Sequence, residues 1–140
     1  MREILFRGKS INGDGEWIYG YYFQKPDPCS TDGKPISHCI SDLPPFGKEI
    51  VISTLGQYTG LTDKNGTKIF EGDIVHMNSR KFGLSGHGVV VYRNGGFAID
   101  DRKRNRLYPF MQNGQYNAGD YRVDGNVHDN PELLEVRKND

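Results

Sequence analysis

The sequence has no excess of either charge, because 18 lysine and arginine residues balance 18 aspartate and glutamate residues. Proteins that bind nucleic acids in general usually carry a clear basic excess, since neutralising phosphates supplies most of their affinity. The overall charge therefore argues against that class of protein, while leaving room for a local basic patch.

Cysteine and long apolar runs are also scarce. With only Cys29 and Cys39, the chain lacks the cysteine density of a disulfide-stabilised secreted domain. No stretch reaches the ~18 consecutive apolar residues that predict a membrane-spanning helix. The first nine residues lack the apolar segment of a signal peptide. We therefore expect a cytoplasmic protein without a membrane partner.

What the chain does contain is glycine, which accounts for 18 of its 140 residues, while apolar residues make up only 35%. Frequent turns and a thin core are typical of a small β protein rather than a helix bundle. One domain, or one barrel with an arm, fits this length.

The N-terminal part predicts a β-hairpin. Residues 2–7 and 17–23 alternate in polarity as strands do, and Asn-Gly and Asp-Gly pairs at 12–15 are turn signals between them. In the second strand every second residue is aromatic, which places four rings on one face. These candidate core or interface residues are Trp17, Tyr19, Tyr21 and Phe23.

Residues 24–48 have a different composition, with five prolines and no hydrophobic period. This pattern predicts a long surface loop or arm. Both cysteines and His38 lie within it.

Two Asn-Gly pairs predict hairpins in the second half of the chain. The first is Asn65-Gly66. The second, Asn94-Gly95, would place Tyr92 opposite Phe97 and Val90 opposite Ile99, and we expect this strand pair to form the core. Near the end of the chain, residues 130–135 predict one helical turn, with Asn130 as its cap.

Short strands, regular turns and little helix predict a mainly β fold, which we interpret as a small SH3-like barrel with an N-terminal hairpin or arm. The expected division is 1–55 for the hairpin and the Pro-rich segment and 56–140 for the barrel. A single compact unit is the alternative.

Several segments resemble the YopX family. The longest is GQYTGLTDKNGTKIFEGDIV at 56–75, and REILFRG at 2–8, the hairpin residues Trp17, Tyr19 and Gly20, and GNVHDNPELL at 125–134 also fit. The resemblance implies a protein encoded by phages and prophages, with an SH3-like barrel component and self-association. It implies no activity, and no catalytic residue can be transferred from it.

The thiols allow three interpretations. Cys29, His38 and Cys39 could bind zinc with a fourth ligand from His76, His87 or His128, but the spacing is poor for a structural site. A Cys29–Cys39 disulfide would close a short loop, although a reducing cytoplasm disfavours it. Two free thiols are the simplest interpretation, so we predict no cofactor.

Acidic residues occur in two close pairs, Glu71 with Asp73 and Asp100 with Asp101. Paired carboxylates can perform acid–base chemistry or hold a hard cation, so a metal-assisted hydrolase using Glu71, Asp73 and a histidine is a remote hypothesis. The alternative is turn chemistry, in which carboxylates accept hydrogen bonds from nearby backbone amides.

A basic run follows the second acidic pair. Its members, candidate nucleic-acid contacts, are Arg102, Lys103, Arg104 and Arg106. Aromatic residues lie close by in the sequence, and cations beside aromatic rings suit single-stranded nucleic acids. The alternative is a solvated hairpin end.

Three functional hypotheses follow. The leading one is a non-enzymatic phage accessory protein: a self-associating β module that binds an unknown phage or host protein. The second is a nucleic-acid-binding SH3-like module that uses the basic hairpin. The third is the metal-assisted hydrolase.

Overall fold

The computed structural model describes residues 3–26, 36–43, 46–79, 83–111 and 114–134. Its strands are β1 (Phe6–Lys9), β2 (Trp17–Pro26), β3 (Ile36–Leu43), β4 (Phe46–Glu49), β5 (Gly56–Thr62), β6 (Lys68–Phe70), β7 (Asp73–Ser79), β8 (Leu84–Arg93), β9 (Gly96–Asp101), β10 (Arg106–Pro109) and β11 (Tyr121–Asn126). Short 3₁₀ helices cover Ile52–Thr54, Ala118–Asp120 and Pro131–Leu134. The prediction of a mainly β chain with little helix is confirmed.

The chain forms two compact units, residues 1–58 and 59–140. Within the described ranges, no helix has the length and apolar character needed to cross a membrane.

In the first unit, antiparallel strands lie side by side in the order β4, β3, β2, β1, β5. The predicted hairpin is confirmed, with Phe6 opposite Gly20 and Lys9 opposite Trp17. However, β1 covers Phe6–Lys9 rather than the predicted residues 2–7. The hairpin register begins at Phe6, and the carbonyl of Leu5 instead accepts a hydrogen bond from the Tyr58 amide of β5.

The interpretation of residues 24–48 as a loop or arm is wrong for every described position, since 24–26, 36–43 and 46–48 all lie in strands. β2 continues to Pro26, where it pairs with Ile36 at the start of β3. A proline is tolerated there because it ends the strand. Inside β3, the adjacent residues Cys39 and Ile40 are both buried, although they point to opposite faces of the sheet. The strand therefore lacks the alternation of apolar and polar residues by which a half-exposed strand is predicted. Residues 27–35, with Cys29, and residues 44–45 lie outside the described part of the chain.

The second unit contains the continuation of β5, with β6 beside it, and a five-stranded sheet in the order β10, β9, β8, β7, β11. β7 to β10 form a meander, and β11 returns antiparallel to β7. β10 and β11 are the two edges of this sheet, and no ladder joins them in the described residues. The described strands therefore form an open sheet rather than a closed barrel, so the structure does not confirm the SH3-like barrel that the sequence predicts.

The predicted core hairpin is confirmed in detail. Val90 lies opposite Ile99 and Tyr92 opposite Phe97. The turn residues Asn94 and Gly95 have φ angles of 56° and 81°, as a two-residue hairpin turn requires. The buried cluster around this hairpin consists of Ile69, Val75, Met77, Val90, Ile99, Phe110 and Tyr121.

The hairpin at Asn65-Gly66 and the helical turn near the end of the chain are also confirmed in the described residues, which stop at 134, but the cap assigned to the Asn130 side chain is not. β5 and β6 flank Asn65-Gly66, with Gly66 at φ 80°. Near the end of the chain, Pro131–Leu134 forms one 3₁₀ turn. The side chain of Asn130 accepts a hydrogen bond from the Asn126 amide at 3.3 Å, so it closes the preceding turn.

Close packing of β8 on β9 generates the first prediction. A methyl group added at Gly88 would overlap Cγ2 of the fully buried Ile99, whereas one added at Gly96 would meet no atom within 4 Å. We expect Gly88→Ala to lower the free energy of unfolding by about 1–3 kcal/mol through overpacking. Gly96→Ala should change it by less than about 0.5 kcal/mol. Urea unfolding measures both variants, and equal midpoints would contradict the packing described here.

Candidate functional site

The aromatic residues of β2 form an exposed surface on the first unit. Lys9 lies opposite Trp17 and Arg7 opposite Tyr19, so these four side chains share one face of the sheet. Tyr19 and Tyr21 are 50% and 56% exposed, and Trp17 is partly buried. On this face of the sheet, the rings of Tyr19 and Tyr21 are therefore exposed to solvent, and the ring of Trp17 is partly buried.

Cations lie against this tryptophan. The Arg7 guanidinium carbon is 4.7 Å from the centre of the Trp17 ring, and Lys9 Nζ is 5.6 Å from it. Both distances are within the range of cation–π attraction, which is strongest for tryptophan. The contacts hold the indole ring against β1 and leave Tyr19 and Tyr21 as the outward members of the stripe.

The fourth predicted interface residue, Phe23, lies differently. Its ring is 3.0 Å from the position that a Cβ of Gly47 would occupy, so it packs over β4. Phe23 is partly buried as a result. We define the aromatic face by Trp17, Tyr19 and Tyr21, with Phe23 supporting it.

Exposed apolar side chains concentrate in the first unit, which holds eight of the eleven large ones among the described residues. They are Ile4, Ile11, Tyr19, Tyr21, Ile36, Phe46, Val51 and Ile52, and the second unit has Tyr92, Leu107 and Met111. Phe46, at 73%, is the most exposed of these, and it begins β4 at the edge of its sheet. An open strand edge can accept a strand from another chain.

The two residues of the zinc hypothesis that lie among the described residues of the first unit, His38 and Cys39, do not form a common site. His38 and Cys39 are neighbours in β3, so their side chains point to opposite faces. His38 Nδ1 is 2.6 Å from the Tyr22 hydroxyl. Burial, and then the charge of Glu49, raises the pKa of the Cys39 thiol, which disfavours the metal-binding thiolate. Cys29 lies outside the described residues.

Turn chemistry occupies two of the four paired carboxylates. The buried Asp73 accepts a hydrogen bond from the Phe70 amide at 2.7 Å. The buried Asp101 accepts from the Arg104 amide at 3.1 Å and from Arg104 Nη1 at 2.7 Å. In the described part of the chain, no three histidine, cysteine, aspartate or glutamate residues are placed to bind a metal ion together. The arrangement therefore gives the hydrolase hypothesis no ligand set there.

Three members of the basic run, Arg102, Lys103 and Arg104, lie in the turn between β9 and β10, and Arg106 begins β10. Arg104 is bound to Asp101, and its Nη2 also donates to the Ser85 carbonyl at 3.2 Å. The remaining cations, Arg102, Lys103 and Arg106, are exposed. One of the four predicted nucleic-acid contacts thus shapes the turn, and three face solvent.

A polar cluster that sequence reasoning missed lies on the second unit. His76 of β7 stands directly opposite both His87 of β8 and Arg122 of β11, which places the three in one row across the sheet. Asp124 connects the ends of this row. Its carboxylate lies 2.7 Å from His87 Nε2 and 2.6 Å from Arg122 Nε. The ring centres of the two histidines are 5.4 Å apart, edge to face.

Electrostatics differ sharply within the cluster. Hydrogen bonds from Arg122 lower the pKa of Asp124 to about 2, against the effect of its burial and with help from His87. Burial lowers the pKa of His76, and the nearby charges of Arg122, His87 and Lys64 lower it further, while Asp124 raises it. At neutral pH, therefore, Asp124 is ionised and His76 is neutral.

The sequence carried little signal for this cluster. The sequence suggests His76 and His87 only as possible fourth ligands of the zinc hypothesis. Arg122 and Asp124 flank Val123 within an ordinary short strand. The alternation of β11 places Arg122 away from the core residues Tyr121 and Val123. Only the pairing of β11 with β7 reveals that its partner is a histidine.

Comparison with known proteins gives one family. The family model described as YopX protein matches residues 6–135. The crystal structure of protein EF1440 from Enterococcus faecalis is 24% identical, with a TM-score of 0.55, and the match covers 96% of this chain and 100% of that one. The X-ray structure of protein yopX from Bacillus subtilis is 18% identical, with a TM-score of 0.52, covering 99% and 100%. At these identities the likeness shows the fold alone. No curated protein matches the chain.

The lowered pKa of His76 predicts how stability depends on pH. Unfolding restores an ordinary pKa of about 6.5, so the unfolded chain binds more protons below that pH, and stability falls as the pH falls from about 7 to 5. We expect His76→Gln to reduce this loss, and His128→Gln, which changes an exposed histidine, to retain it. Urea unfolding across this range measures the effect. A His76→Gln profile parallel to that of the wild type would contradict it.

Proposed function

Because the chain belongs to the YopX family, we propose that it is a phage or prophage accessory protein that associates with itself and binds another macromolecule without catalysis. We place it in the cytoplasm of the infected bacterial host. The observation that carries the proposal is the aromatic face, where Tyr19 and Tyr21 stand half exposed beside Trp17.

The aromatic face suits a second copy of the same chain. Tyrosine and tryptophan are enriched at interfaces because each offers a large apolar ring together with a polar group. A tyrosine hydroxyl both donates and accepts hydrogen bonds, so two such faces related by a two-fold axis can satisfy each other. With a formal net charge of zero, two copies approach without long-range repulsion.

The edge strand β4 is our choice for the contact with a phage or host protein. Each of its residues is exposed, and Phe46 is an aromatic side chain at a sheet edge that no other described strand pairs with. A partner strand added there would gain backbone hydrogen bonds, and a pocket on the partner for Phe46 would add specificity.

We also propose an SH3-like organisation for the second unit. β7 to β10 form a meander, the 3₁₀ helix Ala118–Asp120 precedes the last strand, and β11 returns beside β7. This connectivity is what we expect of an SH3-like module.

If the chain self-associates through the aromatic face, altering that face should lower the molar mass of the assembly in solution. We expect the wild-type chain to form a dimer or larger assembly, and Tyr19→Ser/Tyr21→Ser to shift it towards the monomer because the apolar contact is lost. Size-exclusion chromatography with light scattering over a concentration series measures this. The control is Tyr92→Ser, which removes a 54% exposed tyrosine from the second unit and should leave the mass unchanged.

Two outcomes would count against the proposal. A wild-type chain that stays monomeric at the highest concentration it tolerates would remove self-association altogether. A double variant that keeps the wild-type mass and circular dichroism spectrum would leave self-association standing but exclude the aromatic face as its interface.

The β9–β10 turn favours a second candidate function, binding of single-stranded nucleic acid. Asp101 forms an ion pair with Arg104. The three exposed cations Arg102, Lys103 and Arg106 therefore have no counter-ion within the turn itself. Clustered cations on a small β module can contact successive phosphates.

This second candidate predicts a specific dependence on salt. Each phosphate contact contributes roughly −0.7 to the slope of log affinity against log salt for a single strand. We expect Arg102→Ser/Lys103→Ser/Arg106→Ser to reduce the steepness of that slope by about 2, because three contacts are lost. Fluorescence anisotropy with a labelled oligonucleotide measures it.

A matched control removes the same charge elsewhere: Lys25→Ser/Lys48→Ser/Lys68→Ser changes three exposed lysines outside the turn. It should keep the wild-type slope. Equal slopes for the two triple variants, or no binding of the wild type at low salt, would exclude the basic turn as a nucleic-acid site.

A further inference from the structure

His76 has an unusual position within the polar cluster. It is partly buried, yet neither ring nitrogen has a hydrogen-bond partner among the described residues, and neither is sealed from solvent. His87, its neighbour in the row, uses Nε2 on Asp124. The ring is therefore held in place on the sheet and remains accessible to a ligand.

Two permanent cations act on this imidazole. Arg122 stands opposite His76 and binds Asp124 through Nε and Nη2, which leaves part of its five-donor guanidinium available. Lys64 is held nearby because its amide donates to the carbonyl of Tyr121 at 3.0 Å. Both charges act on His76.

The charges around His76 are unbalanced. The groups that act on it are His87 from β8, Arg122 and Asp124 from β11, and Lys64 from the β5–β6 turn. With His76 neutral, the permanent cations Arg122 and Lys64 face one carboxylate, Asp124, so the local charge is positive although the chain as a whole is neutral. An anion placed beside Lys64 and Arg122 would balance it.

We propose that His76, Arg122 and Lys64 form a binding site for a phosphate-type oxyanion. Arg122 and Lys64 supply the charge, and guanidinium and ammonium groups are the usual partners of phosphate oxygens. His76 supplies a directed N–H donor. The site lies on the second unit and is independent of the aromatic face proposed for self-association.

Binding at this site is coupled to protonation of His76. The neutral imidazole takes a proton from solvent when an anion arrives, because the anion offsets the repulsion from Arg122 and Lys64. By linkage, the oxyanion must raise the pKa of His76, and it must bind more tightly as the pH falls through the titration of that residue.

Histidine titration by NMR tests the site, with inorganic sulfate as the probe because its charge stays constant across the range. At equal ionic strength, sulfate should raise the pKa of His76 more than chloride does. It should also shift the ring signals of His76 in a saturable way, and by more than it shifts the ring signals of His128. Inorganic phosphate and dimethyl phosphate form two further arms, which distinguish a free phosphate from a phosphodiester. A linear, unsaturable shift shared by all histidines would mean screening alone and would overturn the proposal.

Variants locate the anion. Lys64→Gln changes an exposed side chain and should weaken sulfate binding by about tenfold, since one charge-assisted contact is lost. Lys25→Gln removes the same charge from an exposed position in β2 and should bind sulfate as the wild type does. Arg122→Gln should abolish saturation. If Lys64→Gln and Lys25→Gln bind sulfate equally, the anion is not held where we place it.

Discussion

The carboxylate of Asp63 is the constraint on which the second unit depends. It is buried and accepts three backbone hydrogen bonds, from the amides of Asn65 at 2.8 Å, Thr67 at 2.9 Å and Val123 at 2.9 Å. Burial alone would raise its pKa, but these bonds outweigh it and lower the pKa, so the group is ionised. Two of the bonds shape the β5–β6 turn, and the third fastens that turn to the last strand. One side chain thus joins segments 60 positions apart.

The polar cluster follows from this attachment. With Asp63 bound to Val123, the next residue, Lys64, lies against Tyr121 and brings its charge to the row formed by Arg122 and His76. The β11–β7 register, which places Arg122 opposite His76, continues with a bulge between Val123 and Gly125, next to Asp124. A bulge turns a side chain out of the regular alternation, and here it accompanies a carboxylate that reaches His87 two strands away.

Local features of the fold could be predicted from the sequence, and features set by distant partners could not. The register of Val90 with Ile99 follows from the turn between them, because a two-residue hairpin leaves one pairing. β3 escaped detection because Cys39 and Ile40 are both buried, which erases the alternation that marks a half-exposed strand. At the candidate surfaces the aromatic stripe was visible as a period of two, whereas the bond between His87 and Asp124 spans 37 positions and carries no local pattern.

The net charge of this chain is a poor guide to its anion-binding sites. It sums charges over the whole molecule, whereas a ligand responds only to the charges near it. At physiological ionic strength, exposed charges are screened beyond about 8 Å, so a ligand responds to the few groups within that distance. The groups that act on His76 include two permanent cations, Arg122 and Lys64, and one carboxylate, Asp124. In the β9–β10 turn, Arg104 neutralises Asp101 while its basic neighbours face solvent. A neutral chain can therefore carry separate basic sites, provided that its folding pairs most carboxylates elsewhere. Asp63 and Asp73 show how this happens, because the carboxylates of both accept hydrogen bonds from backbone amides. There they stabilise turns and do not offset a distant cation.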